Sequence, residues 1–254
     1  MGAGARVELI AVAGFPLVRP GEDLAAALLD RLAAENERLR DGDIVVLAQK
    51  IVSKAENRLV DLATVTPSDE AVRLGQQSLK DPRLVEVILS QSRRVVRCAP
   101  NVLIVEHRLG LIMANAGVDQ SNVGSSGWVL LLPEDPDASA ARLRDDLVRR
   151  AGARIAVIIN DSFGRPWRQG SVGVAIGVAG LPALWDRRGD GDLFGRRLEV
   201  TVVGLADEIA AAASVVMGQG EEGRPAVVVR GLSWTGNPSP ASTICRPPGE
   251  DLFR

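Results

Sequence analysis

Apolar and polar positions along the 254-residue chain follow two periods, one near two residues and one near about 3.6. Residues 7–13 alternate weakly and predict a strand, ended by the turn-forming Gly14-Phe15-Pro16. Residues 22–39 carry apolar side chains at helical spacing, with Gly42 near the end, and predict a helix. Residues 43–48 form an apolar run of strand length and predict a buried strand. Pro67-Ser68 is suited to cap a helix running towards Lys80, and Asp81-Pro82 to start another. Residues 95–98, 102–106 and 111–114 predict short strands, with Gly110 in the turn between the last two.

The second half begins with residues 115–126, polar and glycine-rich, which predict a loop. Residues 129–132 predict a strand stopped by Pro133, and Asp137 is placed to N-cap an amphipathic helix reaching about Arg150, with Gly152 behind it. Residues 155–159 predict a buried strand that ends directly in a loop, Asn160-Asp161-Ser162. From Gly164 to Gly180 glycine recurs too often for a regular helix. Residues 198–203 predict a strand, 206–217 a helix closed by Gly218 and Gly220, and 226–229 a last strand before a proline-rich, irregular tail from Asn237. Only some of these connections have the form of parallel crossovers. The expected fold class is therefore a compact mixed α/β (α+β) architecture with mixed sheets and flanking helices. No linker marks a boundary, so residues 1–254 are expected to form a single domain.

Composition narrows the chemistry. The net charge of -2 argues against a nucleic-acid partner, and no apolar run approaches the roughly 18 residues that would span a bilayer. Glu8 and Pro16 interrupt the apolar start, and Met1-Gly2 lacks the following Ser/Thr of a myristoylation signal, so the cytoplasm is the expected location. Cys98 and Cys245 suggest neither a disulfide framework nor a zinc site. His107 is the single histidine and tyrosine is absent. Histidine-rich metal sites are thereby excluded, and the remaining oxygen donors suit magnesium or manganese. Lys50, Lys54 and Lys80 are the only lysines, two of them within Gln49-Lys50-Ile51-Val52-Ser53-Lys54.

Four segments could carry chemistry. At the end of the strand predicted over 155–159, Asp161 could hold a divalent cation, Ser162 could add an oxygen, and Arg165 and Arg168 could clamp a phosphate or carboxylate. An ordinary Asx turn accounts for the same acid and hydroxyl. In Asn115-Ala116-Gly117-Val118-Asp119-Gln120-Ser121-Asn122, Asp119 could bind a metal and Asn122 a nucleotide, or the segment is a polar surface loop. Lys54 is expected at or just beyond a strand end, where a compact ammonium suits phosphate. Residues 217–223 could wrap a base or ribose, although a helix C-cap with a solvated acidic turn is the simpler reading. His107 is expected as an exposed turn residue, with Met113 and the tryptophans as core or pocket lining. No glycine-lysine phosphate loop or dinucleotide fingerprint is present.

Five segments occur in one order: Phe15-Pro16-Leu17-Val18; Gln49-Lys50-Ile51-Val52-Ser53-Lys54-Ala55-Glu56; residues 115–122; Asp161-Ser162-Phe163-Gly164-Arg165; and Ala206-Asp207-Glu208-Ile209-Ala210-Ala211. Together, across about residues 7–232, they resemble the coenzyme F420:L-glutamate ligases, the gamma-glutamyl ligases of deazaflavin coenzyme synthesis. The resemblance implies a homodimeric, GTP-dependent amide ligase that uses Mg²⁺ or Mn²⁺ at two sites, with K⁺ as a further cation. Its substrates would be F420-0, whose lactyl carboxylate receives the amine, and L-glutamate, with later glutamates joined by gamma linkages. By position, Phe15, Pro16, Leu17, Val18, Gln49, Lys50 and Lys54 would contact GTP, with Asn122 on the nucleotide. Asp119 and Asp161 would hold one metal, Ser162 and Gln219 a second. Met217, Gly218, Gln219, Gly220, Glu221, Glu222, Gly223 and Arg224 would wrap the nucleotide, and Asp119, Asp161 and Lys54 would carry the catalysis.

Two departures bear on this reading. Gln219 is neutral where some members of the family carry glutamate, which implies a second metal site that is weaker or filled only with nucleotide. Some actinobacterial members continue into a flavin-binding reductase domain, whereas this sequence stops at Asp251-Leu252-Phe253-Arg254 and is expected to lack that activity. The expected route is phosphoryl transfer to the substrate carboxylate followed by attack of the amine, which needs charge neutralisation and positioning rather than a protein nucleophile. A ligase acting on a different carboxylate, and a non-catalytic GTP-binding subunit, stay open as alternatives.

Overall fold

Ile44, Val45, Val46 and Leu47 are all buried, and so are Val157, Ile158 and Ile159, so these two segments must be covered on both faces. In the computed structural model, which describes residues 6–124 and 126–251, they are the centre of a five-stranded sheet. Its order is β1 (Glu8–Ala11), β12 (Ala226–Arg230), β2 (Ile44–Ala48), β8 (Ala156–Arg165) and β9 (Arg168–Ala179). The β2–β8 pair is parallel and the other three pairs are antiparallel.

One face of this sheet meets α1 (Leu24–Ala34), α2 (Gln49–Ala55) and α5 (Pro136–Ala151), which bury Leu28, Leu32, Val52 and Leu147 against Val45, Leu47, Val157 and Ile159. The other meets the alanine-rich α6 (Leu205–Met217), whose Ala206, Ala210 and Ala213 lie against Ile44, Val46 and Ile158. Glycines let both layers close on β9. A methyl at Gly173 would sit 2.5 Å from the Ala210 carbonyl oxygen, and one at Gly177 would collide with the Pro136 carbonyl. The recurrent glycines of this stretch thus belong to a strand pressed between helices.

A peripheral lobe has its own core, centred on Leu74, Val85, Ile88, Leu103 and Val105. It combines α3 (Asp69–Ser78) and α4 (Pro82–Ser90) with the sheet β4 (Ser92–Ala99), β5 (Val102–His107) and β6 (Ile112–Ala114), and the pair β3 (Leu59–Asp61) and β7 (Trp128–Leu130). Ser68 and Asp81 cap α3 and α4 as the sequence predicts. No helix among the described residues is long and apolar enough to cross a membrane.

Several local expectations need correction. Pro136 occupies the first turn of α5, so the cap falls two residues before Asp137, on Asp135, which accepts from the Ala138 amide at 3.0 Å. Asp137 instead accepts from the amides of Val178 and Ala241 at 2.8 and 2.7 Å, tying β9 to the tail. Residues 160–165 are not a loop but the continuation of β8, because β9 supplies a partner for that polar stretch as far as Arg165. Gln49–Ala55 is helical, so Lys54 lies in the last turn of a helix rather than at a strand end. Residues 198–203 shorten to β11 (Val202–Val203), paired with β10 (Trp185–Asp186). His107 is 1% exposed at the end of β5, the reverse of expectation, and Trp167, expected as core or pocket lining, is 87% exposed and outside the core. Within residues 115–126 a 3-10 turn over Asn115–Gly117 and a bridge between Asp119 and Leu130 order the start of the expected loop. Ser125, Met1-Gly2 and Leu252-Phe253-Arg254 lie outside the described residues.

Candidate functional site

Strands β1, β2 and β8 run in one direction, so their carboxyl ends share an edge at which β12 begins. The register fixes this alignment: Ala11 lies opposite Val227, Ala226 opposite Leu47, and Ala48 opposite Asn160. The Val12 amide donates to Ala226 and the Ala48 amide to Pro225, at 2.9 and 2.8 Å. Four of the segments singled out in the sequence leave or enter the sheet here: Phe15 to Val18 after β1, α2 after β2, Asp161 in β8, and Met217 to Arg224 before β12. Such a carboxyl edge is where α/β sheets place ligands.

On α2, Lys50 and Lys54 are one turn apart and project from one side, while Gln49, Ile51, Val52 and Ser53 are buried on the other. The Lys50 ammonium lies 2.7 Å from Asp119 Oδ2 and donates to Ser121 Oγ, also at 2.7 Å. Lys54 Nζ donates to the Asn122 carbonyl at 2.7 Å. Asp119 Oδ1 accepts from the Ser121 amide and hydroxyl at 2.7 and 2.8 Å. The fifth segment, residues 115–122, is therefore bound to the sheet edge through α2. Ser121, not singled out in the sequence, joins acid to ammonium; its one legible signal is a hydroxyl two residues after an aspartate.

Charge is unevenly distributed across this cluster. Burial alone would raise the Asp119 carboxyl, but the Lys50 ammonium and the two Ser121 donors outweigh it and hold the group below the usual carboxylate range. Lys54 is pulled down, first by burial and then by the charge of Lys50, with Asp119 opposing. Asp161 is pushed up to about 6, first by burial and then by the negative charge of Asp119, with its own Ser162 amide and the Lys50 charge opposing. Protein crowds this carboxyl, yet it keeps partial solvent access and accepts only that one bond, at 2.8 Å. Two carboxylates in electrostatic reach of each other, with one ammonium bonded to only one of them, form a place short of positive charge.

Strand alternation divides the acid from its neighbours. Asp161 shares a face with Ile159 and Phe163, whereas Asn160 and Ser162 face α6. Asn160 Nδ2 lies 3.7 Å from Met217 Sδ, and its buried Oδ1 has no partner among the described residues. That contact ties the end of α6, just ahead of Gly218 and the exposed Gln219, to β8. Glu222 folds back onto its own loop, accepting from the Gly220 amide at 2.8 Å. Of the amino-terminal segment, Val18 is a core residue and Phe15 is half-buried, while Leu17 is 89% exposed. No group of three His, Cys, Asp or Glu gathers among the described residues, so any cation must draw on two carboxylates together with hydroxyl and amide oxygens.

Fold and site together define a mixed α/β protein whose sheet edge gathers two ammonium groups and two carboxylates. Residues 14–231 match the F420-0:Gamma-glutamyl ligase family, and the chain belongs to that family. It is 47% identical over 250 residues to the coenzyme F420:L-glutamate ligase of Methanothermobacter thermautotrophicus, covering 98% of this chain and 99% of that protein. It is 49% identical over 242 residues to the enzyme of the same name from Methanopyrus kandleri, covering 93% of each. With that of Methanocaldococcus jannaschii the identity is 42% over 249 residues, 98% of this chain and 97% of the other.

Proposed function

We propose that the protein joins L-glutamate to coenzyme F420-0 with GTP as phosphoryl donor, and adds further glutamates by gamma linkages. The γ-phosphoryl group passes to the substrate carboxylate, giving an acyl phosphate and GDP. The neutral amine of glutamate then attacks the acyl carbon. Phosphate leaves with the carbon–oxygen electron pair, and the amine's proton is released as the amide forms. The observation that carries this reading is the convergence of Lys50, Lys54, Asp119 and Asp161 at one sheet edge beside the segments expected to hold GTP. Lys50 and Lys54 would meet phosphate oxygens, and Asn122 and residues 217–224 the remainder of the nucleotide. The donor set is oxygen throughout, and the uncompensated charge at Asp161 suits Mg²⁺ or Mn²⁺ between Asp119 and Asp161, with a second ion at Ser162 and Gln219. Bound there, such ions would neutralise phosphate and carboxylate oxygens. The working unit is proposed to be a homodimer, for which Leu193 and Phe194, 97% and 95% exposed, offer apolar surface.

Mass spectrometry of F420-0 incubated with glutamate, GTP and Mn²⁺ tests the reading. Products heavier by one or more glutamyl units are expected. GDP release with a different carboxylate in a substrate panel would transfer the activity to another acceptor. Tight GTP binding with no acceptor-dependent GDP release would replace the enzyme by a nucleotide-binding subunit.

A further inference from the structure

Beyond Asp161 the β8–β9 hairpin ends in Arg165-Pro166-Trp167-Arg168, all four residues exposed. Proline fixes its own φ near about -65°, and Trp167 follows with φ of 65°. Proline followed by a positive φ is the pattern of a type II turn, whose next position ordinarily takes glycine or asparagine. A bulky side chain there is an outlier. Packing does not call for it, since Trp167 joins none of the apolar clusters and the residue is 87% exposed.

Arg165 and Arg168 lie directly opposite each other across this turn. Like charges in such a pair repel. Among the described residues Arg165 donates only to the Gly170 carbonyl, at 3.3 Å, and the Arg168 side chain makes no hydrogen bond or ion pair. Arg165 closes β8 beyond Asp161 and Phe163, just past an irregularity in the pairing at Gly164. Arg165 is four positions along the strand from Asp161, about 13 Å. The turn is thus a flat indole beside two guanidinium groups that lack an anion, on a strand leading to the carboxylate site.

The geometry points to this turn as a binding subsite for the carboxylate-bearing substrate. Its planar ring system stacks on Trp167, an anionic linker lies between Arg165 and Arg168, and its carboxylate reaches Asp161, Lys50 and Lys54. The assignment rests on the functional reading above and gives the deazaflavin ring of F420-0 a place. GTP is not the occupant, because the segments expected to hold it lie on the β1, β12 and β2 side of β8, whereas the hairpin leaves the opposite margin of the sheet.

Trp167→Gly tests this cleanly, since glycine suits the positive φ and removes only the ring. The KM for F420-0 is expected to rise about tenfold, the scale of losing one aromatic stacking partner, with the KM for GTP unchanged. Trp167→Phe should recover most of that loss, and Arg168→Ala should raise the same KM. F420-0 added without GTP should quench the tryptophan emission of the wild-type protein, and much less that of Trp167→Phe. An unchanged KM for F420-0 in Trp167→Gly would overturn the subsite. So would a rise confined to GTP, or a change in subunit number by light scattering, which would assign the turn to the nucleotide or to a second copy. Failure of the wild-type protein to glutamylate F420-0 would remove the functional reading, and with it the assigned occupant.

Discussion

Asp43 and Asp161 stand at opposite ends of the same parallel strand pair, and their surroundings differ sharply. Asp43 is 1% exposed and fully answered: Arg230 donates two bonds at 2.9 Å and the Arg40 amide one at 2.8 Å. Arg230 is held further above its ordinary range, first by Asp43 and then by Glu37, with burial opposing. Asp161 receives one bond from the next amide and feels the negative charge of Asp119. A charge that the protein satisfies is structural; one it leaves short is available to a ligand.

The sharpest way to break this contrast is Asp161→Asn. Removing the charge should lower kcat/KM by at least about 1000-fold while leaving the melting temperature unchanged or higher, because a desolvated anion is lost. Near-wild-type ligation in a folded Asp161→Asn protein would take Asp161 out of the site. Asp43→Ala should do the opposite. Leaving Arg230 without its main partner should cost about 3–5 kcal/mol in urea unfolding, with activity per folded molecule unchanged.

Lys54→Met should act next, raising the KM for GTP about 10- to 100-fold through loss of a charged contact to phosphate, measured in initial rates. A change in F420-0 affinity alone would place Lys54 on the acceptor instead. The smallest effect is a pH dependence at His107. Burial first, then the charges of Arg108, Arg58 and Arg93, hold this imidazole down to about 4. The folded protein therefore keeps it neutral where the unfolded chain binds a proton. Its contribution is fully present above about pH 6.5 and is lost as pH falls towards 4, on the order of 2 kcal/mol. With one histidine in the chain, a single imidazole NMR titration reads this directly. A midpoint near 6.5 would show that His107 is solvated.

The buried strands and capped helices were legible because their signals are local. The apolar runs at 44–48 and 155–159, and Ser68 and Asp81 ahead of helices, need no distant partner to be read. Asp119, Asp161 and Lys54 could be named as candidates, but not their mutual arrangement, which depends on the register of β2 against β8 and on Lys50 reaching Asp119. Asn160 to Arg165 read as a loop because a polar strand end looks like one until β9 is beside it. His107 read as exposed because nothing in its neighbours Glu106 and Arg108 announces that β5 carries it into the interior. Trp167 read as core or pocket lining for the complementary reason: an indole is ordinarily hidden, and only the turn geometry shows this one displayed.

The junction at Ala48 and Gln49, where β2 passes into α2 without an intervening loop, bears on how this enzyme can change. The Lys50 and Lys54 ammonium groups ride on a helix whose orientation is inherited from a strand buried in the middle of the sheet. A single residue inserted at that junction would swing them by about 100°. If α2 and residues 219–224 hold the nucleotide as proposed above, variation in nucleotide choice has little room in α2 and more in the exposed stretch from Gln219 to Arg224, where side chains can be exchanged without repacking the interior.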